Sequence, residues 1–418
     1  MERREFVSVL GGAAVAGRIV GWPLKDSLSV ADGRIVHPTI RQSAIPPQEP
    51  SLGPEVFARR LDRLRAELTT RKLDLLVAPP STNFEYFTGT NPGRSERLIL
   101  LLVPTKGDPA IVCPAFEVDR IKGHSAVPDV RGWEEQDDPW KLVRTALRAV
   151  KPPNRGGQAA IEASLDYGSW LRLADMGGGD WKWQTGAPVT ERLRIIKYPE
   201  EVALIRRAIE ITEASIAATF AALTPGASER EVARRLSDEM RNRGAAGGGL
   251  VQFGPSSALP HGGPAGARLE REMVVLIDAG CRVSGYTSDV TRTIWYGDAP
   301  SDEFKKVFNL VHDAQTAAMQ LGKPFTVRCQ EMDRAARAVI ATGGYAEYFT
   351  HRVGHGMGMD GHEPPYMVEG NDAPLEPGMV FTIEPGIYQA GKFGVRIEDD
   401  SLVTESGIEV LSQRPAKL

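Results

Sequence analysis

Cysteine is scarce in this chain of 418 residues: three in all, Cys113, Cys281 and Cys329. So odd and scattered a set makes neither a disulfide framework nor a paired-thiol metal site, and the three read as small buried hydrophobes. An excess of charge of either sign is also lacking. The 50 Lys and Arg face 54 Asp and Glu, a net of −4, so there is no basic field for a phosphate backbone and nucleic acid is not an expected partner. No apolar run approaches the ~20 residues needed to cross a bilayer, which excludes a polytopic membrane protein. No segment recurs at a fixed period, which argues against solenoids and propellers. Histidine is rare as well: of seven, five fall between residues 261 and 362, among them His261, His351, His355 and His362.

What is present is a globular balance, 42% hydrophobic and 25% charged, on a length that suits about two or three domains. The first 31 residues stand apart. Arg3-Arg4-Glu5-Phe6-Val7 leads into an uncharged, Gly/Ala-rich stretch ending at Gly17, and Ser29-Val30-Ala31 offers a small-x-small cleavage site. Paired arginines before a weakly apolar core read as a twin-arginine export signal over 1–31, giving a periplasmic or exported protein. A frayed cytoplasmic N-terminus is the alternative. Residues 32–53, with Pro46, Pro47 and Pro50, read as a linker.

Helical spacing of Val56, Phe57, Leu61, Leu64 and Leu68 predicts a helix over 54–72. Strands are expected at 73–78, 97–103, 110–113 and 158–163, with helices at 139–150 and 166–176. That alternation is an α/β domain, assigned to 54–185. A second domain, 190–418, opens on Pro199-Glu200-Glu201, a favourable first helical turn. Ser228 and Glu231 form a capping box for the next helix, which Gly244 ends, and 243–249 reads as a flexible, glycine-rich bridge. Strands at 273–277, 291–296, 380–383 and 395–397, with helices at 301–321 and 329–342, complete an α+β pattern.

Acids recur where these strands end. Asp278 closes Val274-Val275-Leu276-Ile277, Glu384 closes Val380-Phe381-Thr382-Ile383, Glu398 follows Val395-Arg396-Ile397, and Asp289 lies eleven positions after Asp278. Any one such acid is as easily a solvated cap. Four of them with His355 make a donor set suited to Mn²⁺, Co²⁺, Fe²⁺ or Zn²⁺. Their charge of −4 matches two divalent ions, which roughly 3.5–4 Å apart can share and acidify one water.

The order and wording of these motifs carry a resemblance. Asp278-Ala279-Gly280, Ser288-Asp289-Val290-Thr291-Arg292-Thr293, Gly354-His355-Gly356, Glu384-Pro385-Gly386 and Arg396-Ile397-Glu398-Asp399 resemble the pita-bread superfamily of creatinase, aminopeptidase P, prolidase and methionine aminopeptidase. The resemblance runs from about Pro54 to Val410. It implies an α/β creatinase-like N-terminal domain followed by an α+β pita-bread catalytic domain, two divalent ions (manganese foremost) and a homodimer. It also implies that Asp278 holds one ion, Asp289 and Glu398 bridge both, and His355 and Glu384 complete the second, with Glu384 moving the proton from water toward the leaving amine. Asn83-Phe84-Glu85-Tyr86-Phe87-Thr88-Gly89 and the segment Phe253 to Gly262 are similar to the Xaa-Pro branch. There His261 is expected at the substrate carbonyl or carboxylate, His362 at the oxyanion, Arg396 at the substrate's distal end and Tyr388 in the pocket. The implied activity is hydrolysis of peptides with proline second, by an Xaa-Pro aminopeptidase. The alternatives are an Xaa-Pro dipeptidase, a hydrolase of a non-peptide amide and a non-catalytic binding module. Two further patterns are set aside. Gly356-x-Gly358-x-x-Gly361 has no strand before it or helix after it, and His362-Glu363-Pro364-Pro365-Tyr366 lacks the second His and the helix of a zincin.

Overall fold

The computed structural model describes residues 52–152, 156–177, 179–264 and 266–418. The segment read as an export signal and nearly all of the expected linker lie outside these residues.

The first half comprises α1 (Pro54–Thr70), β1 (Leu75–Ala78), α2 (Thr82–Thr88), β2 (Leu100–Pro104), β3 (Ala110–Pro114), α3 (Val118–Lys122), β4 (Asp129–Trp133), α4 (Trp140–Val150), β5 (Gly157–Ile161), α5 (Tyr167–Gly177), β6 (Trp181–Thr185) and α6 (Ala187–Ile195). Its strands form one mixed sheet in the order β4-β3-β2-β1-β5-β6. The stripe predicted for α1 is buried at Val56, Leu61, Leu64 and Leu68. Two strands of this sheet, β4 and β6, are not predicted from the sequence, and both are sheet edges whose polar residues break up any continuous apolar run.

The second half repeats one plan, a helix pair followed by an antiparallel sheet. First come α7 (Pro199–Ala221), α8 (Glu229–Asn242), β7 (Ala246–Phe253), β8 (Met273–Val283), β9 (Tyr286–Thr287) and β10 (Val290–Tyr296). Then come α9 (Asp302–Leu321), α10 (Cys329–Thr342), β11 (Gly354–Gly356), β12 (Glu363–Met367), β13 (Val380–Ile383), β14 (Gly386–Gln389), β15 (Phe393–Arg396), β16 (Asp399–Val403) and β17 (Ile408–Val410). The sheets run β10-β8-β7 and β12-β11-β13-β16-β17, with β14–β15 a hairpin beside them. An isolated bridge pairs Thr291 with Glu398 and so stitches the first sheet to the second.

One expectation is corrected. Residues 243–249 are no flexible bridge, because β7 begins at Ala246 and pairs with β8 over eight residues. Its glycines serve close packing: a Cβ on Gly247 would sit 2.5 Å from Cys281 Cβ, and one on Gly249 would sit 2.3 Å from the Asp278 carbonyl oxygen. All three cysteines are buried and free, as expected. No helix among the described residues is long and apolar enough to cross a membrane.

Candidate metal centre and substrate cleft

The two sheets deliver the five expected ligands to one place. Asp278 lies within β8, opposite Thr291 of β10, and Asp289 immediately precedes β10. His355 is the middle residue of β11, Glu384 follows β13, and Glu398 lies between β15 and β16. Donor atoms of Asp278, Asp289 and Glu398 lie within 4.8 Å of one another, as do those of His355, Glu384 and Glu398. Glu398 thus belongs to two overlapping triads. His355 also groups with Asp289 and His362.

Hydrogen bonds aim each donor. His355 Nδ1 lies 3.2 Å from the Gly356 carbonyl oxygen. A carbonyl only accepts, so the proton sits on Nδ1 and the Nε2 lone pair faces the acids, 3.3 Å from Glu384 Oε1 and 3.8 Å from Asp289 Oδ2. Thr291 Oγ1 donates to Glu398 Oε2 at 2.6 Å, Thr382 Oγ1 reaches Glu384 Oε1 at 3.4 Å, and the Asp289 amide donates to Asp400 Oδ2 at 3.1 Å.

The protein's own electrostatics leave this cluster frustrated. Burial and the Asp278 carboxylate push Glu398 up to about 8, and burial with the neighbouring acids holds Asp289 and Glu384 well above the usual range. Burial lowers His355 to about 3, so its imidazole is neutral and its lone pair free near neutral pH. Crowded oxygens that resist ionisation beside a neutral imidazole form a donor set that divalent cations relieve, and the residues fit such a pair of ions.

A cleft of about 480 Å³ opens on the ligands and is also lined by Pro260, His261, His351, Arg352, His362 and Arg396. His261 and His362 are both exposed on its walls. The His362 ring lies against that of His355 with centroids 3.8 Å apart and planes tilted by 35°, and its Nδ1 lies 3.3 Å from Arg352 Nη2. Guanidinium only donates, so Nδ1 accepts and the His362 proton resides on Nε2. Burial and Arg352 lower the His362 pKa, which keeps that ring a neutral donor.

Arg396 lines the cleft but is 3% exposed, and its guanidinium is largely committed to the protein. It donates to Asp278 Oδ2 at 2.5 Å, Tyr388 OH at 2.9 Å, Thr291 Oγ1 at 3.0 Å and the Pro260 carbonyl at 3.2 Å. Tyr388 is buried, and His351 Nε2 lies 2.8 Å from its hydroxyl. His351 Nδ1 meets the Arg352 carbonyl at 2.7 Å, so Tyr388 donates onward to Nε2 and the whole chain runs one way. The arrangement lets Arg396 orient Asp278. Arg352 is the cation that sequence reasoning missed. Its guanidinium lies 4.4 Å over the Tyr366 ring and, among the described residues, pairs with no carboxylate.

Residues 203–405 match the model of metallopeptidase family M24, and residues 60–196 match that of the creatinase/prolidase N-terminal domain. An Xaa-Pro dipeptidase of Lactobacillus helveticus is 35% identical over 359 residues, 84% of this chain and 96% of that one. Among solved structures, a recombinant prolidase from Thermococcus sibiricus superposes with a TM-score of 0.80 at 33% identity, covering 88% of this chain and 99% of that one. Dipeptidase PepE from Mycobacterium ulcerans does so with a TM-score of 0.81 at 36% identity, covering 88% and 98%.

Proposed function

The chain belongs to metallopeptidase family M24, with the creatinase/prolidase domain ahead of the catalytic one, and from that premise we propose that it is an Xaa-Pro dipeptidase. Of the two Xaa-Pro readings, the dipeptidase is the better supported, since the relatives named above are dipeptidases or prolidases. The observation that carries it here is Arg352, a cation without a carboxylate partner among the described residues, set in the cleft wall beside His362. An Xaa-Pro dipeptide ends in a carboxylate one residue beyond the scissile bond, whereas a longer peptide offers a neutral amide there.

Asp278, Asp289 and Glu398, with His355 and Glu384, would hold two divalent ions, manganese foremost. Bound there, the ions supply an acidified water and positive charge for the scissile carbonyl. Glu384 carries the proton from that water to the proline nitrogen as the C–N bond breaks. His362 donates from Nε2 to the carbonyl oxygen as negative charge builds there. His261 on the rim contacts the substrate's carbonyl or carboxylate, and Arg352 pairs with the carboxylate. No step requires an amide N–H on the scissile bond, which an Xaa-Pro bond lacks.

Arg352→Met tests the reading. A charge-assisted hydrogen bond of about 1.5–3 kcal/mol corresponds to roughly 10- to 100-fold in kcat/KM. That loss is expected on Xaa-Pro and is expected to be absent on Xaa-Pro-amide; equal losses on both would refute the role. The same proposal includes a homodimer and export by the twin-arginine route. N-terminal sequencing of protein from its native cells should find a start near residue 32, and an intact Met1 in the cytoplasm would contradict export.

A further inference from the structure

His362 occupies a loop whose ends are held from outside the metal-binding sheets. The loop runs between β11 and β12, and the acids on either side of His362, Asp360 and Glu363, turn toward α2, α6 and the connection from α6 to α7. Arg194, in the last turn of α6, donates from Nη2 to Asp360 Oδ2 at 2.7 Å and also to Glu363 Oε2, while its Nη1 reaches Asn83 Oδ1 at 3.2 Å. Thr82, at the start of α2, donates to Asp360 Oδ1 at 2.6 Å. Lys197, in the connection to α7, donates to Glu363 Oε1 at 2.8 Å. All four oxygens of the two carboxylates are therefore taken by residues preceding the catalytic helices. Arg194 and both acids line a cavity of about 210 Å³ that shares His362 with the metal-lined cleft.

The ring of His362 has little fixing of its own. It is exposed, with one side-chain hydrogen bond at 3.3 Å and one tilted ring contact with a metal-ligand candidate. Its position must come from its backbone, and that backbone is bracketed by the two clamped acids. Arg194 holds both at once: its side chain is 10% exposed and that of Glu363 6%, which shields this charge-assisted pair from solvent screening, while Asp360 at 39% is the more exposed partner.

We propose that Arg194 is a positioning residue, clamping Asp360 and Glu363 so that His362 Nε2 faces the reacting carbonyl. The proposal rests on the reading of His362 given above. It gives α6, the last helix of the segment matched to the creatinase/prolidase N-terminal domain (60–196), a part in catalysis through one guanidinium, with no contact between Arg194 and the substrate. Displacing an aligned group by about 1 Å can cost on the order of 10²-fold in rate, so the effect belongs in kcat.

A double-mutant cycle in metal-loaded enzyme tests it. Arg194→Met is expected to lower kcat roughly 10- to 100-fold, with KM and bound metal unchanged and partial recovery in Arg194→Lys. In a His362→Ala background the same substitution should add less than about twofold, because the residue through which it acts is gone. The same fold-loss in both backgrounds, or a loss that follows metal content, would overturn the proposal. Should Arg194→Met fail to fold, Thr82→Val removes one bond to Asp360 and enters the same cycle with a smaller expected effect. The ring ¹⁵N shifts of His362 in zinc-loaded protein separate this proposal from the functional one. If they do not move in Arg194→Met, the clamp fails even where the enzyme is an active dipeptidase. If they move while wild-type protein cleaves no Xaa-Pro substrate, the clamp stands and the assigned reaction falls.

Discussion

At the scale of single residues, the centre is a set of acids that the fold brings closer than their charges favour. The unfolded value for Glu398 is near 4.5 and the folded one is about 8, raised first by burial and then by Asp278. Between those values the folded, metal-free protein binds more protons than the unfolded chain, so its stability falls as pH rises through that window and levels off above it. Asp289 and Glu384 are shifted in the same sense. Thermal unfolding of chelator-treated protein should show Tm declining from pH 5 to pH 8, and added divalent metal should raise Tm most at pH 8. A metal-free Tm that climbs over that range would refute the picture. Among the five expected ligands, Asp278, Glu384 and Glu398 were legible because each closes an apolar run, whereas Asp289 and His355 take their place from the ordered motifs of the resemblance. Their supports were not, since Thr291 meets Glu398 and Asp400 meets Asp289 across more than a hundred residues of chain. Arg396 shows the same limit: the resemblance places it at the substrate's distal end, and only the fold reveals that its guanidinium holds Asp278.

At the scale of elements, the longer helices were the legible part, whereas the short α2, α3 and α6 went unread. The expected spans 301–321 and 329–342 differ from α9 and α10 by at most one residue, because amphipathic spacing and glycine stops act locally. The short strands that complete the second sheet were harder. β11 has three residues and β12 begins Glu363-Pro364-Pro365, so neither offers a period to read. β7 was misread for a different reason: its glycines signal flexibility in isolation, whereas here they let β7 lie against β8 at the Asp278 backbone. Gly249→Ala should therefore cost about 1–3 kcal/mol in stability as an overpacked contact. It should also weaken metal binding, since the clash falls on the carbonyl of Asp278 itself. Denaturant unfolding and metal titration read the two effects separately. A variant with native stability and metal affinity would show that the β7–β8 contact does not place the ligand.

At the scale of the molecule, the two halves share a core. One continuous hydrophobic cluster includes Leu61, Leu76 and Ile111 from the first half and Ile209, Ile277 and Val380 from the second. Within this contact Arg60, 1% exposed, donates to Glu201 Oε1 at 2.8 Å and Tyr286 OH at 2.6 Å while lying over the Tyr86 ring. Arg60→Met strands Glu201 in the interface and should destabilise by ~3–5 kcal/mol, seen as a lower denaturant midpoint. A midpoint unchanged from wild type would show that the halves are joined by apolar packing alone. The α/β-then-α+β order was readable from the alternation of elements, but the docking of the halves was not, because Arg60, Glu201 and Tyr286 are ordinary residues until the chain brings them together.

As proposed above, this M24 chain cleaves Xaa-Pro bonds and favours substrates ending at the proline. The most direct test of that proposal is kcat/KM for metal-reconstituted enzyme on one matched pair, Xaa-Pro and the same sequence extended by a residue, each repeated after chelation. The account predicts metal-dependent hydrolysis with the dipeptide preferred roughly 10- to 100-fold, the range of one charge-assisted hydrogen bond. Equal rates on the two peptides, or hydrolysis that survives removal of the metal, would contradict it.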